Sequence, residues 1–342
     1  MKIKQIILFI IIFSAVVSPA FSQMMLQPVA AVNLLRSEMI TRDALDAKVA
    51  ELQAAYTEQK IKESDVLDIM INDILVLQGA EQAGILLLDK DLNTFVAKQK
   101  SSVESQVGHT ITDAEFSSVI MQETGMTIED YRTKTKQNYI VRTYIIQEKN
   151  DMVNNIPGPA EDEIKNFHKK NAASFINPEY IKLSHIFISK SDPAIPNPKE
   201  KADTVYRQFE YGTKTYDALV LEFSQDESSK FLGGDIGWFA IDDSVSRQIF
   251  NDTFLDAVFM LETGDVSKVL ESKTGYHIVK ILDHTYPKLL SLEDPLSPDN
   301  TMTVRQYISQ TLYVEKQQEV FSAAVSELVK ELRSEAEITI LL

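Results

Sequence analysis

Two histidines inside apolar segments are the side chains with the clearest chemical potential. His185 lies in the alternating segment Tyr180–Ser189, and His277 lies in Tyr276–Leu282. An imidazole titrates near neutral pH and both donates and accepts hydrogen bonds, so two of them together can form a network that orients a site. A lone histidine on an apolar strand is usually a hydrogen-bonded core residue, and this alternative stays open for either one.

Aromatic residues and glycines lie between these two segments. Phe250 and Phe254 are four residues apart, and Phe259 follows five residues later. By itself this spacing is more typical of core packing than of a pocket. The segment Gly233–Phe239 holds three glycines, an acid and the only tryptophan of the chain. Such a run indicates a sharp turn or a close backbone approach, and a glycine-rich turn entering an edge strand is sufficient to explain it.

Taken in order, these elements resemble the parvulin family of peptidyl-prolyl isomerases. The resemblance is specific because many separated elements agree in order and spacing. The matching segments are Leu183-Ser184-His185-Ile186, Phe223-Ser224-Gln225-Asp226-Glu227-Ser228, Gly233-Gly234-Asp235-Ile236-Gly237-Trp238-Phe239, the phenylalanines 250, 254 and 259, Gly264-Asp265-Val266-Ser267 and Thr274-Gly275-Tyr276-His277-Ile278-Val279.

The resemblance implies an apolar pocket for a proline ring. The position of Phe254 is the platform for the ring in the parvulin pattern, and the positions of Phe250 and Ile236 complete the pocket. We therefore interpret these three residues as substrate-binding and Phe259 as core.

The resemblance also implies a polar network of His185, His277, Asp226 and Thr274. The two histidines of the pattern lie on adjacent central strands and hydrogen-bond as a pair beneath the substrate amide. Many bacterial members carry aspartate at the position of Asp226, and Thr274 stands where the family often has serine or threonine. We expect the Asp226 charge to favour protonated histidines, and the pKa of Asp226 to respond to burial and to the histidines in opposite senses. An exposed loop acid is the alternative for Asp226.

Prolyl isomerisation needs neither a covalent step nor a cofactor. Amide resonance creates a barrier of about 18–20 kcal/mol, and a site that removes water and favours the twisted imide lowers it. We predict no cofactor, and no metal because the histidines lack metal-ligand spacing. The loop Ser189–Pro193 has no cluster of basic residues, so the phosphoserine-proline preference of one parvulin branch should be absent.

Composition excludes some classes of partner. The chain has 342 residues, with 34 basic and 50 acidic side chains and a net charge of −16. Because phosphate binding requires a basic surface, we expect no nucleic-acid partner. This length is typical of two domains rather than one. The absence of cysteine excludes disulfides, a thiol nucleophile and a bacterial lipoprotein anchor.

The first 22 residues have the pattern of an export signal. Lys2 and Lys4 precede an apolar run, and small residues lie before Ser22. The run is short for a bilayer span, which favours cleavage after Ser22, and an uncleaved anchor is the alternative. We therefore predict a periplasmic or otherwise exported bacterial protein that is soluble after signal removal and has no stable membrane insertion.

Helical patterns occupy most of the chain before residue 150. Thr41 is a predicted helix cap, and a second helix after Ser64 carries an apolar stripe. A third is expected over Asp89–Val107 with Leu92, Phe95 and Val96 inward, and capping patterns at Thr112 and Thr127 predict two more. This opening resembles SurA/PrsA-like chaperones.

The C-terminal residues should return to this helical segment. An amphipathic helix through Leu332 with a short apolar strand is not stable alone, so we expect Ile338–Leu342 to pair beside Val29–Leu34. The predicted fold class is α+β multidomain: a mostly helical chaperone module with one inserted parvulin-type α/β domain, a four-stranded sheet flanked by helices. The predicted divisions are a signal peptide 1–22, an N-terminal helical domain 23–155, a linker helix 156–177, a parvulin domain 178–286 and a returning segment 300–342.

Two functions of different class follow. The first is an exported peptidyl-prolyl isomerase and folding chaperone that acts on X-Pro bonds of secreted or outer-membrane proteins. The second is a holdase that binds unfolded clients while its parvulin domain is weak or inactive. In both, the partners are unfolded or proline-containing polypeptides.

Overall fold

The computed structural model describes residues 27–56 and 60–341, so the predicted signal peptide, residues 1–22, lies outside the described residues. The chain folds into two compact units. The first unit comprises the described residues up to Pro157 together with those from Glu315 onward, and the second comprises Gly158–Val314. No helix within the described ranges is long and apolar enough to cross a membrane.

In the part of the chain that the structure describes, helices predominate and the strands form two small sheets. In chain order the elements are β1 (Pro28–Asn33), β2 (Ser37–Thr41), α1 (Arg42–Ala55), α2 (Glu63–Gln82), α3 (Asp89–Val107), α4 (Asp113–Thr124), α5 (Ile128–Glu148), α6 (Asn150–Asn154), α7 (Glu161–Lys170), β3 (Tyr180–Ser189), α8 (Pro198–Glu210), α9 (Tyr216–Phe223), β4 (Asp235–Ala240), α10 (Ser244–Phe250), α11 (Asp252–Phe259), β5 (Leu270–Glu271), β6 (Gly275–Thr285), α12 (Val304–Glu335) and β7 (Glu337–Ile340).

The first unit joins distant parts of the chain in one antiparallel sheet of order β2-β1-β7. Ala30 pairs with Ile340 and Val32 with Ile338, which is the pairing expected from the sequence. The sequence pattern does not predict the edge strand β2. Buried residues of β1, α1, α2, α5 and α12 form a single core, so the C-terminal helix completes the interior of this unit.

Side-chain caps fix the starts of several helices in the first unit. Thr41 accepts a hydrogen bond from Ala44 N, and Thr112 forms the expected capping box with Glu115. Leu92 is buried as predicted, but the inward orientation expected for Phe95 is wrong. Its side chain is exposed and contacts the ring of Tyr139 on α5, with centroids 5.4 Å apart. A pair of aromatic rings thus covers part of α3 and α5 where the prediction placed core.

The second unit is built on an antiparallel four-stranded sheet of order β4-β3-β6-β5. Its helices flank this sheet, as the predicted fold class requires. Side chains alternate between the two faces of the central strands. Ile186 of β3 and Ile278 of β6 pack against α8 and α9, whereas Leu183 and Val279 pack with residues of α11. The odd-numbered residues of β3 and β6 therefore share the α11 face of the sheet.

A further small core supports the ends of the second unit. Ile164 of α7 and Phe175 are buried with Leu290, Val304 and Ile308. Asn177 N donates to Lys288 O, and Leu290 N donates to Phe175 O, so the segments before β3 and after β6 run together. These contacts hold the chain together at the end of the sheet where β3 begins and β6 ends.

Candidate active site

The register of the two central strands places the predicted histidines side by side. Phe187 pairs with His277 and His185 pairs with Val279, so both imidazoles lie on the α11 face, diagonal to each other. Their Nδ1 atoms are 3.1 Å apart. His277 is 1% exposed and His185 is 5% exposed. The structure thus brings together two residues that are 92 positions apart in the chain.

Hydrogen bonds extend the pair into a four-residue chain. His185 Nε2 lies 3.0 Å from Asp226 Oδ2, and His277 Nε2 lies 2.8 Å from Ser272 Oγ. A carboxylate only accepts, so His185 Nε2–H donates to Asp226 and leaves His185 Nδ1 as an acceptor. His277 Nδ1–H then donates to His185, and the Ser272 hydroxyl donates to His277 Nε2. One arrangement of protons satisfies every ring nitrogen with both histidines neutral.

The electrostatics agree with a neutral pair. Burial lowers the pKa of His277 to about 3, and the neighbouring His185 and Lys190 contribute to this low pKa. Burial also lowers the pKa of His185, although Asp226 acts in the opposite direction. The sequence predicts that the Asp226 charge favours protonated histidines. Its effect is present, but the cost of burying an imidazolium outweighs it.

Asp226 is the partly exposed end of the chain. Burial raises the pKa of this carboxyl, yet hydrogen bonds from Ser228, Ser229 and His185 lower it to about 2. Burial and the histidine therefore act in opposite senses, as expected. The side chain of Asp226 is 22% exposed, whereas the side chain of His185, taken without its backbone, is 6% exposed. A substrate would meet an ionised carboxylate before it met an imidazole.

Stacked aromatic rings lie against the histidines. Phe250 covers Phe254 with centroids 5.0 Å and planes 16° apart, and Phe254 is 1% exposed. The centroids of both rings are within about 6 Å of that of His277, at 5.7 and 5.0 Å. Phe187, which the alternation of β3 places on the same face as His185, has its ring centroid 4.9 Å from that of His277. The half-buried Phe250 is thus the outer ring of the stack, and Phe254 supports it from below.

The other two predicted residues lie at the borders of this group. Ile236 is half-buried and packs against the core cluster that contains Phe254. Thr274 contacts the network only indirectly, since its N–H donates to Ser272 Oγ and its Oγ1 lies 3.3 Å from that oxygen. Ser272, not Thr274, bonds His277. Sequence reasoning missed Ser272 because a serine in a turn is common and no spacing rule marks it.

Two glycines allow the strands to carry this geometry. Gly234 has φ +78°, and a Cβ there would lie 2.6 Å from the carbonyl oxygen of His185. A Cβ on Gly275 would overlap the carbonyl oxygen of Ile188. Both positions therefore require glycine for close backbone approach beside the histidines.

The remaining histidines have other surroundings. His284 bonds Glu179 and the carbonyl oxygen of Leu261, and His168 bonds the carbonyl oxygen of Leu290, while His109 is exposed. Within residues 27–56 and 60–341, no three histidine, aspartate or glutamate side chains converge as a metal site would require.

Comparison with protein families identifies the segment that carries this site. Residues 164–285 match the family model described as the PPIC-type PPIase domain. The chain contains a parvulin-type peptidyl-prolyl isomerase domain. All four members of the hydrogen-bonded chain and the aromatic stack lie within this parvulin domain.

Relatives carry chaperone and foldase names. A chaperone SurA of Saccharophagus degradans is 25% identical over 264 residues, which cover 74% of this chain and 57% of the relative. A foldase protein PrsA of Clostridium botulinum is 23% identical over 271 residues, 79% of this chain and 72% of the relative. This chain therefore spans little more than half of the length of the SurA relative.

Solved structures with similarity include a SurA-like chaperone of Campylobacter jejuni. It is 18% identical, with coverage of 88% of this chain and 97% of that chain, at a TM-score of 0.37. The parvulin domain itself is identified by its family match.

Proposed function

We propose that this protein is an exported peptidyl-prolyl isomerase and folding chaperone. Its clients would be secreted or outer-membrane polypeptides that fold outside the cytoplasm, where uncatalysed prolyl exchange takes tens of seconds or longer. The parvulin domain and the SurA and PrsA relatives support the class of activity. The export pattern of residues 1–22 supports the location.

The observation that carries the proposal is the linear hydrogen-bonded chain Asp226–His185–His277–Ser272, in which every imidazole nitrogen has a partner, beside two stacked phenylalanines. A planar imide is stabilised by resonance and by water on its carbonyl oxygen. An apolar surface that excludes water favours the twisted state instead, because that state has lost the resonance and its charge separation. Phe250 and Ile236 supply such a surface, and Phe254 supports it.

The histidines act by position rather than by proton transfer. Each ring nitrogen already has a partner at 2.8–3.1 Å, so neither imidazole has a free N–H to give or a free lone pair to receive a proton. Burial lowers the pKa of both imidazoles, that of His277 to about 3, which favours the neutral pair near neutral pH. The histidine pair therefore fixes the orientation of Asp226 and forms a rigid base beneath the position of the imide.

Prolyl exchange in a proline peptide tests this proposal directly. Residues 23–342 would be mixed with the peptide, and cis/trans rates would be measured by exchange NMR for wild type, Asp226→Asn and Phe250→Ala. We expect both variants to lose roughly tenfold or more of kcat/KM, because each removes a group that the imide contacts. The matched control Asp217→Asn removes an exposed carboxylate on α9, on the other face of the sheet, and should keep the wild-type rate. Wild-type protein without any catalysed exchange would refute isomerase activity.

A holdase is the second candidate, and the exposed apolar side chains of the first unit favour it. Leu86, Leu88, Phe95 and Met121 are all exposed. Soluble proteins keep large apolar groups on the surface when they bind other chains. The test is a light-scattering assay with an unfolded client. We expect a full-chain variant to suppress aggregation less well than wild type when it combines Leu86→Ser, Leu88→Ser and Phe95→Ser. A control with Met260→Ser in the second unit should suppress it as well as wild type does, and equal protection by both variants would remove this candidate.

A further inference from the structure

Two adjacent apolar side chains are exposed on the loop that carries Asp226. Phe231 is 74% exposed and Leu232 is 70% exposed, in a single 3₁₀ turn, Lys230–Leu232. A single exposed apolar residue needs no explanation, but a contiguous pair next to a site indicates a contact surface. We refer to these two residues as the Phe231–Leu232 pair.

Backbone and side-chain hydrogen bonds hold this loop in place. Lys230 N donates to Asp226 O at 2.9 Å, and Leu232 N donates to Ser229 O at 2.8 Å. The Ser229 hydroxyl donates to the Asp226 carboxylate, so the same residue is bonded to the loop and to the site. The Phe231–Leu232 pair is therefore part of an ordered structure rather than a free loop tip.

The next residues connect the pair to the central strand. His185 N donates to Gly234 O at 2.9 Å, and Gly234 has no room for a side chain against β3. Leu232 is two residues away, which limits its Cα to about 8 Å from that of Gly234. An extended peptide advances about 3.3 Å per residue. His185 in turn bonds His277, whose ring centroid is 5.0 Å from that of Phe254 in the aromatic stack. We therefore expect an extended client whose imide lies at the stack to reach the pair within a few residues.

The charges around the loop select against acidic side chains. Asp226 is ionised, with a pKa of about 2, and Glu227 is strongly exposed. The cation on this turn, Lys230, is mostly buried, with its Nζ 4.0 Å from Glu227. A carboxylate or phosphate beside the proline would approach two negative groups, whereas an apolar side chain gains by covering the exposed ring and methyl groups.

We propose that the Phe231–Leu232 pair is a subsite for an apolar side chain within two residues of the client proline. It makes the chain selective for apolar X-Pro segments over acidic ones. This inference rests on the proposed isomerase function and names its substrate class. The occupant is client polypeptide because the pair is continuous with the site through Asp226 and Gly234. Self-association and lipid binding are outcomes that the experiment distinguishes.

Paired measurements of turnover and binding test the subsite. Peptides that differ only next to proline, with leucine, alanine or glutamate, are assayed for kcat/KM by exchange NMR and for Kd by fluorescence anisotropy. The variant is Phe231→Ser, Leu232→Ser in residues 23–342. The control is Tyr211→Ser, an equally exposed aromatic residue (74%) that follows α8, a helix on the other face of the sheet. Trp238 fluorescence confirms that each variant is folded.

We expect the variant to lose roughly fivefold or more on the leucine peptide and little on the alanine peptide, because only leucine has apolar area to bury against the pair. Wild type should bind the glutamate peptide most weakly. Phe231→Leu, which keeps an apolar side chain beside Leu232, should retain most of the wild-type preference for the leucine peptide. An equal effect of the variant on all three peptides, or no effect, overturns the subsite. The subsite is also overturned if wild type forms a dimer or binds vesicles, the variant does neither, and the peptide preference is the same in both proteins. If wild type turns over no peptide, the isomerase proposal fails, and the anisotropy series still decides the subsite.

Discussion

The buried histidine pair makes the stability of the parvulin domain sensitive to acid, and His277→Gln should remove much of this sensitivity. An ordinary histidine takes up a proton near pH 6.5, but burial holds the pKa of His277 near 3 in the folded protein. Below pH 6.5 the unfolded chain therefore binds a proton that the folded chain does not bind. Stability falls as pH falls through this window, down to the folded pKa. Glutamine keeps a polar group at the position and has no proton to gain.

The size of the effect follows from the two pKa values. Each unit is worth about 1.36 kcal/mol, so at about pH 4.5, two units below the unfolded value, His277 alone costs about 2.7 kcal/mol. For a domain of this size that corresponds to a fall in Tm of about 5–10 °C. The pKa of His185 is lowered as well and acts in the same direction. Asp226 adds to the loss only below about pH 4, where its unfolded form begins to take up protons.

The single tryptophan provides the assay. Trp238 lies on β4, next to β3, so its fluorescence reports unfolding of the second unit. Thermal unfolding would be followed at about pH 7 and about pH 4.5 for wild type, His277→Gln and a control, His109→Gln, which removes an exposed imidazole from the first unit. The measured quantity is the difference in Tm between the two pH values. This difference is independent of any constant loss caused by the substitution.

We expect a large difference in wild type and in the control, and a difference reduced by about half or more in His277→Gln. A wild-type Tm that does not fall between these pH values would refute a neutral buried pair. An unchanged difference in His277→Gln would show that other groups carry the acid sensitivity. In either case the proton arrangement deduced from the hydrogen-bonded chain would be wrong.

Three other substitutions test separate features. Ser272→Ala removes the hydroxyl that donates to Nε2 of His277. We expect the free energy of unfolding, measured by chemical denaturation, to fall by about 1–3 kcal/mol and the rate of catalysed prolyl exchange to fall as well. Ser272→Thr should largely restore both quantities. Gly275→Ala should destabilise the second unit by several kcal/mol in the same assay because its Cβ overlaps Ile188 O, whereas Gly158→Ala, with open space around the new Cβ, should be tolerated. Burial raises the pKa of Asp73 to about 7, so this carboxyl lowers the stability of the first unit as pH rises from about 4 to 7. We therefore expect Asp73→Asn to stabilise the first unit at about pH 8 but not at about pH 4. Far-UV circular dichroism during unfolding would measure the difference.

Local signals explain why much of the fold is predictable from the sequence. Helix caps at Thr41, Thr112 and Thr127 fix three starts, because a side-chain oxygen that satisfies a free N–H is a local event visible in the sequence. Strand β3 has the predicted bounds, since its alternation reflects two packed faces. The pairing of β7 with β1 follows from the need of a short apolar strand for a partner.

Features that depend on tertiary packing are not predictable in this way. Phe95 fits the inward stripe of α3, yet its ring lies on the surface against Tyr139, because neighbouring helices and not the periodicity decide which face is covered. Strand β2 buries only Ile40 and β5 has two residues, so neither shows a clear apolar period. Helix α10 has seven residues and buries only Ser246, so its pattern does not distinguish it from a loop. Their existence depends on the strands and helices they contact.

The candidate site divides along the same line. The positions of His185, His277, Asp226 and Phe250 can be carried over from the parvulin pattern, and the structure brings them together. Ser272 cannot be found this way, since its contact with His277 depends on the turn between β5 and β6. The neutral state of the histidines is also hidden from the sequence, because the balance between burial and the charge of Asp226 requires the depth of each ring.

The pairing of β1 with β7 has a consequence for synthesis. Residues 28–33 leave the ribosome long before residues 337–340, and the first unit cannot close its sheet until both are present. The Gly158–Val314 unit is translated in between and contains its own complete sheet. It can therefore fold before β7 is available to complete the sheet of the first unit. A message cut short between the codons for residues 315 and 336 would yield a second unit with its own complete sheet, attached to a first unit that lacks β7.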